Sequence, residues 1–191
     1  MDSGHSGQVD KLKINMEMNQ EMYLTEHLAL PSEATLSQTS KLDGVRLSPH
    51  FSLREMTVTN VKNVVNNPGP EEIENLKRLC GWLEHLRDMY NILYGNGKVP
   101  IVINSGFRSP EVNKKVGGSP TSNHLTGCAA DIKVFGIEQA MRYAVILLNY
   151  ADNTMQEFDE LLIERSKKGS YWLHFAVRPK DNRRKVIFIQ T

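Results

Sequence analysis

The sequence predicts an α+β fold: one domain with a largely antiparallel sheet flanked by helices, entered through a polar N-terminal arm. Three observations carry this expectation. A long helical apolar pattern runs from Pro70 to about Leu93. Five short runs rich in branched and aromatic residues (VPIVI, CAADIKV, FDELLIER, YWLHFAV and VIFIQ) read as strands. The order is helix, strand, short helix, strand, helix, then a strand meander, and that departs from the regular alternation of a parallel sheet.

Residues 1–45 form the arm. They are polar and rich in Ser, Thr, Glu, Gln and Met; MEMNQEMYLTEHLAL could make a short helix, and SEATLSQTS reads as linker. The domain is expected over residues 46–191. It opens with SPHFSLREM, a short helical turn carrying Phe51, Leu53 and Met56. In the long helix, Pro70 suits the first turn, and Glu71, Glu72 and Glu74 suit the positive end of the helix dipole. Ile73, Leu76, Leu79, Cys80, Leu83, Leu86 and Tyr90 follow at three- and four-residue steps, so Cys80 reads as core and His85 as a solvated residue off the stripe. YGNGK stops the helix ahead of the buried strand VPIVI. In SPEVNKKVGG, Ser109 can cap, Pro110 fits the first helical position and a glycine ends the turn. CAADIKV, the helix IEQAMRYAVILLNY, and the strand pair FDELLIER and YWLHFAV across SKKGS complete the order, with VIFIQ last.

Composition narrows the function. Hydrophobic residues make up 40% of the 191, enough for a core that needs no metal or disulfide merely to fold. A formal net charge of +1 leaves no broad basic field, so no nucleic-acid partner is expected. Cys80 and Cys128 are too few for a disulfide framework, although they could form a single bridge. No apolar run approaches the roughly 18–20 residues of a membrane span. MDSGHSGQVD has neither a basic start nor an apolar stretch, so no signal peptide is expected. A monomer is expected.

The chemistry concentrates in residues 104–131. On a strand over Cys128–Val134, Cys128, Ala130, Ile132 and Val134 share one face, and Ala129, Asp131 and Lys133 the other. The apolar set packs inward, which makes Cys128 core and leaves Asp131 on the opposite face beside a small alanine. His124 arrives from a loop containing Gly117, Gly118, Pro120 and Gly127, residues suited to an irregular path. A histidine and a carboxylate are suitable zinc ligands, but a site needs a third. Of the six histidines, His5 and His27 lie in the arm and His50 and His85 precede the segment. His174 alone lies within a predicted core strand, sharing a face with Trp172 and Ala176. Its bland reading is a packed strand histidine; beside His124 and Asp131 it reads as the third ligand, leaving a fourth position for water.

Ser122-Asn123-His124-Leu125-Thr126-Gly127-Cys128-Ala129-Ala130-Asp131 resembles the S-x-H-x-x-G-x-A-x-D pattern of the M15 peptidases at every fixed position. These are zinc D-Ala-D-Ala carboxypeptidases and related peptidoglycan endopeptidases, phage endolysins among them. Ser105-Gly106-Phe107-Arg108-Ser109 is similar to their S-G-[YF]-R-S element, and Trp172-Leu173-His174 to their W-x-H element. HFSLREM and the Asn-Asn-Pro before the long helix also look like the start of one subgroup. The resemblance covers roughly residues 47–177. It implies a Hedgehog/DD-peptidase-like fold, zinc held by His124, Asp131 and His174, and stem peptides of peptidoglycan as substrate. It also implies that Arg108 steadies the substrate carbonyl or developing oxyanion, with a loop-bracing salt bridge as the plain alternative. Ser122 would support the site by hydrogen bonding or merely cap a turn, and Trp172 would flank the site.

One position departs from the pattern. Many members carry an acid three residues before the last histidine, and Tyr171 stands there. The nearest acids upstream are Glu164 and Glu160; a subgroup of the family carries its glutamate on this strand, so the resemblance makes Glu164 the candidate general base, with Glu160 expected to lie further from the open face of His174. Hairpin register decides the matter: opposite Trp172, Glu164 shares the face of His174; opposite Tyr171, it points away. The function expected is zinc-dependent hydrolysis of an amide bond in cell-wall peptides, as carboxypeptidase or endopeptidase. Two other classes stay open: a zinc-bearing wall-binding module that has lost catalysis, and a phage structural component.

Overall fold

Helix α1 (Pro70–Tyr90) starts where its sequence asks it to, with Pro70 at the first turn, Glu71 and Glu72 beside it and Arg87 in the last turn. The computed structural model describes residues 44–95 and 97–190, so the helix expected over residues 16–30 of the arm lies outside the described residues. The expected stripe is buried from Leu76 to Tyr90, and Ile73 packs at its margin. Trp82, off that stripe, is buried too, because Tyr150 lies edge-on at 4.8 Å and Phe175 at 5.3 Å. His85 is a correction: it stacks on Tyr150 at 3.9 Å instead of standing in solvent. The helix ends at Tyr90, three residues earlier than expected, in a wide turn over Asn91–Gly95. There the Asn91 amide closes the turn by pairing with both the N–H and the carbonyl of Val99, at 2.7 and 2.8 Å.

Five strands form one sheet in the order β1-β2-β4-β3-β5. They are β1 (Ile103–Ser105), β2 (Ala129–Lys133), β3 (Glu160–Arg165), β4 (Tyr171–Ala176) and β5 (Lys185–Gln190). The expected strand VPIVI is displaced: pairing begins at Ile103 and reaches Ser105, so the ladder runs into the chemically crowded segment. The expected meander is also corrected at its end. Antiparallel β4 already has β2 on one side and β3 on the other, so β5 goes to the open edge of β3 and runs parallel to it. The connection is short because Ala176, the end of β4, lies opposite Glu160, the start of β3, and β5 begins at that same level.

Side-chain alternation divides the sheet into two faces. Ala130 and Ile132, Leu161 and Ile163, and Leu173 and Phe175 join one core with α1 and with a second long helix, Gly136–Thr154. Fully burying a side chain such as Leu161 or Phe175 contributes about 1.5–3 kcal/mol each. The fold therefore rests on this face and leaves the other free to carry polar groups. The other face presents Asp131, Glu160, Glu164, Trp172 and His174. Cys80 and Cys128 are both free and buried, so they do not form the bridge the sequence allows. Among the described residues no helix is long and apolar enough to cross a membrane.

Candidate metal centre

Asp131 and His174 are direct cross-strand partners in the β2–β4 ladder. Residues so paired hold their side chains close on one face, and here the Asp131 carboxylate meets His174 Nδ1 at 2.8 Å. His124 comes from the 3-10 turn Asn123–Thr126, which Ser122 opens by accepting a hydrogen bond from the His124 N–H at 3.3 Å. Gly127 closes that turn at φ 69°, against the carbonyl of Glu72 in the first turn of α1. The turn is thus wedged between helix and sheet, and His124 Nε2 lies 3.3 Å from Asp131 Oδ1. One donor atom from each of His124, Asp131 and His174 lies within 4.8 Å of the others.

Hydrogen bonding orients the first ring. His124 Nδ1 lies 2.6 Å from the carbonyl of Gly106, which can only accept. Nδ1 therefore carries the proton, and the lone pair of Nε2 faces Asp131. Burial works to raise the pKa of Asp131, but the two imidazoles beside it, His124 first and then His174, outweigh it, holding the carboxyl well below its usual range. Burial likewise pushes His174 down, and the carboxylates of Asp131 and Glu160 overcome it, lifting His174 to about 9. A carboxylate and two histidines, drawn together and shielded from water, form a donor set suited to zinc or a similar divalent ion.

Arg108 follows β1 and reaches the same carboxylate. Its Nε donates to Ser105 Oγ at 2.8 Å, and a terminal nitrogen donates to Asp131 Oδ2. Those two bonds use part of a five-donor fork. Asn66 holds the approach by donating to the Phe107 carbonyl at 3.0 Å and accepting from the Ser109 N–H at 2.7 Å. A pocket of about 150 Å³ opens beside Arg108, walled by Val58, Val61, Val112 and Val116 with Asn60 and Asn104.

The β3–β4 register places Glu164 opposite Trp172, on the face of His174. Burial raises the Glu164 pKa; His174, a hydrogen bond from Trp172 and Arg108 pull against it, while Asp131 adds to the rise. Glu160 corrects the expectation that it lies away from His174. Its carboxylate is 3.6 Å from His174 Nε2, and His174 above all, with Arg183 and Lys185, holds its pKa at about 2.

Behind the site lies a polar cluster the sequence did not announce. Asp159 is fully buried and takes hydrogen bonds from Asn123 at 2.7 Å and from Arg183 at 2.6 Å, with Arg178 at 3.1 Å. Arg178 Nε also donates to the side-chain oxygen Oδ1 of Asn123 at 3.0 Å. Asn123 thereby ties the turn that carries His124 to β3 and to the loop after β4. Only the adjacency of Asn123 to His124 hinted at this, since Asp159 stands at one end of the predicted strand FDELLIER and the two arginines lie outside any predicted strand.

A protein-family model described as Peptidase M15 matches residues 49–161. No significant match is found among curated proteins. The family match includes Arg108, His124 and Asp131 and ends before Glu164, Trp172 and His174, which join the site through the β2–β4 and β3–β4 registers. With more than half of its length matched, through the turn and strand that carry two of the three clustered donors, the chain belongs to the M15 family of metallopeptidases.

Proposed function

We propose that the protein is a zinc-dependent hydrolase of amide bonds in peptidoglycan stem peptides, acting as a carboxypeptidase or endopeptidase on bonds that involve a D-amino acid. The observation that carries this reading is the convergence of His124, Asp131 and His174 on a sheet face shared with an acid of raised pKa. His124 Nε2, Asp131 and His174 Nδ1 would hold the zinc. A zinc ion bound there supplies Lewis acidity to the scissile carbonyl and lowers the pKa of a water.

The remaining roles belong to the chain. Glu164 takes a proton from the attacking water and returns it to the leaving amine, a task its half-buried position favours because a base nearer neutrality accepts and releases protons more evenly. Arg108 presents donors to the charge that develops on the carbonyl oxygen, its fork steadied by Ser105. Trp172 flanks Glu164 and limits water around it. Ser122 serves the site by capping the His124 turn. The valine-walled pocket beside Arg108 has a size suited to a short aliphatic side chain of the stem peptide.

Digestion of defined muropeptides, read by mass spectrometry, tests this reading. Loss of a single residue or cleavage at one cross-link is the expected product, and Glu164→Gln should suppress it. Intact muropeptides after incubation with zinc-loaded protein would turn the reading toward a wall-binding module.

A further inference from the structure

One buried atom of the site lacks a partner. Among the described residues, His174 Nε2 has no hydrogen-bond partner, although the residue is only 7% exposed. A buried ring N–H left unpaired has lost its water without a replacement, so its surroundings should supply an acceptor. The nearest is Glu160 Oε2, at 3.6 Å, about half an ångström beyond an ordinary hydrogen bond.

Glu160 is firmly placed. On β3 it shares the face of His174, and its Oε2 accepts from Asn123 Nδ2 at 3.0 Å. Its Oε1 is met by Arg183 at 2.9 Å and Lys185 at 3.4 Å. The carboxylate is therefore gripped on its outer oxygen by two cations, while the inner oxygen faces the His174 ring and the amide that precedes His124.

We propose that Glu160 is the positioning residue for His174: it accepts the Nε2–H and so leaves Nδ1 as the nitrogen offered to the metal. This rests on the reading that His124, Asp131 and His174 hold the ion. His124 shows the matching arrangement, with Gly106 fixing one nitrogen and freeing the other. A carboxylate or carbonyl behind a ligating imidazole fixes its tautomer and raises its basicity. Asn123 couples the two halves, because it belongs to the turn of His124 and its amide holds the carboxylate that orients His174.

The test compares wild type, Glu160→Gln and Glu160→Ala for zinc affinity by chelator competition, and for the protonation of the His174 ring by long-range proton–nitrogen NMR of the zinc-loaded protein. Wild type should show a protonated Nε2 and a zinc-shifted Nδ1. Glu160→Ala should bind zinc 10- to 100-fold more weakly and lose the single ring state, as loss of an outer partner usually brings. Glu160→Gln keeps an acceptor oxygen and should retain the ring state with most of the affinity. Wild-type protein that takes up no zinc would overturn the metal reading and this inference with it. Zinc-binding wild type with unchanged affinity and ring state in Glu160→Ala would overturn this inference alone. Equal losses of affinity in the Gln and Ala variants, with the ring state kept in both, would assign the effect to charge and overturn the positioning role.

Discussion

Glu164 lies directly opposite Trp172 in the β3–β4 ladder, and this one pairing turns its carboxylate toward the face that carries His174. In the other register the same glutamate would point into the core beside Leu173 and Phe175, and Leu161 and Ile163 would be turned out of it. As the proposed base, Glu164 makes a sharp test. Glu164→Gln keeps shape and hydrogen bonding but cannot accept the proton, so turnover should fall about 10²- to 10⁴-fold with zinc still bound. The acidic limb of kcat/KM should lie above the ordinary glutamate range of about 4.3, because burial raises the pKa and the base works only when deprotonated. A variant cleaving at near wild-type rate would move the base elsewhere and leave the metal centre intact.

Protein purified without added metal should carry about one zinc per chain, the capacity of a single three-donor centre. His124→Ala and His174→Ala should lose it. Their far-ultraviolet dichroism should stay near that of wild type, because the core lies on the opposite face of the sheet. Full hydrolytic activity after exhaustive chelation would remove zinc from the mechanism.

How much of this was readable in the residues follows from what kind of force placed each group. His124 and Asp131 were legible because a seven-residue spacing runs through a glycine turn into a strand whose parity is set by Ala130 and Ile132. The face of His174 was legible by the same parity, but not its pairing with Asp131, which depends on how β4 registers against β2. The strand VPIVI was misplaced because apolar content marks burial, whereas pairing needs a partner, and β2 reaches only as far as Ile103. The position of β5 was hidden for a related reason: which edge remains open is decided by the whole sheet. Glu160 was misjudged by counting distance along the strand. Four residues from Glu164 returns to the same face, and it is β4 that brings His174 between them.

Arg108 has two separable roles. If it meets developing charge, Arg108→Lys should lower kcat by about 10²- to 10³-fold with little change in zinc affinity, since a lysine keeps the charge but not the fork. If it chiefly braces Asp131, zinc affinity should fall and kcat of the fully loaded enzyme should hold. Measuring both on one preparation separates them, and the first result is expected because Ser105 and Asp131 engage only two of its donors.

Gly127 and Gly117 both sit at positive φ, 69° and 72°, yet substitution should not cost the same. A methyl group on Gly117 meets open space, so Gly117→Ala pays backbone strain alone, about 1 kcal/mol. On Gly127 it would stand 2.5 Å from the Glu72 carbonyl, which belongs to the backbone of α1 and cannot easily yield. Gly127→Ala should cost about 2–4 kcal/mol and weaken zinc binding by shifting the His124 turn. Equal thermal midpoints for the two variants would show that the turn and α1 part without penalty.

Asp159 sets the acid stability. Burial alone would raise its pKa, but hydrogen bonds from Arg183 and Asn123 and the charge of Arg178 bring it below the ordinary value. Because the folded-state pKa lies below the unfolded one, near 3.9, these interactions contribute fully above that pH. They are lost as pH falls through the folded-state pKa. Asp159→Asn removes the charge while keeping the volume, and should cost about 2–3 kcal/mol at neutral pH, or roughly 5–10 °C in Tm. Part of the cost is held down because Arg183 is half exposed and regains water when its partner is neutral. The informative quantity is the slope. Between about pH 5 and pH 3 wild-type stability should fall faster than that of the variant, so the two curves converge toward acid. Parallel curves over that interval would mean that Asp159 titrates alike in the folded and unfolded chains, and that its arginines serve only to fill the loop behind Asn123.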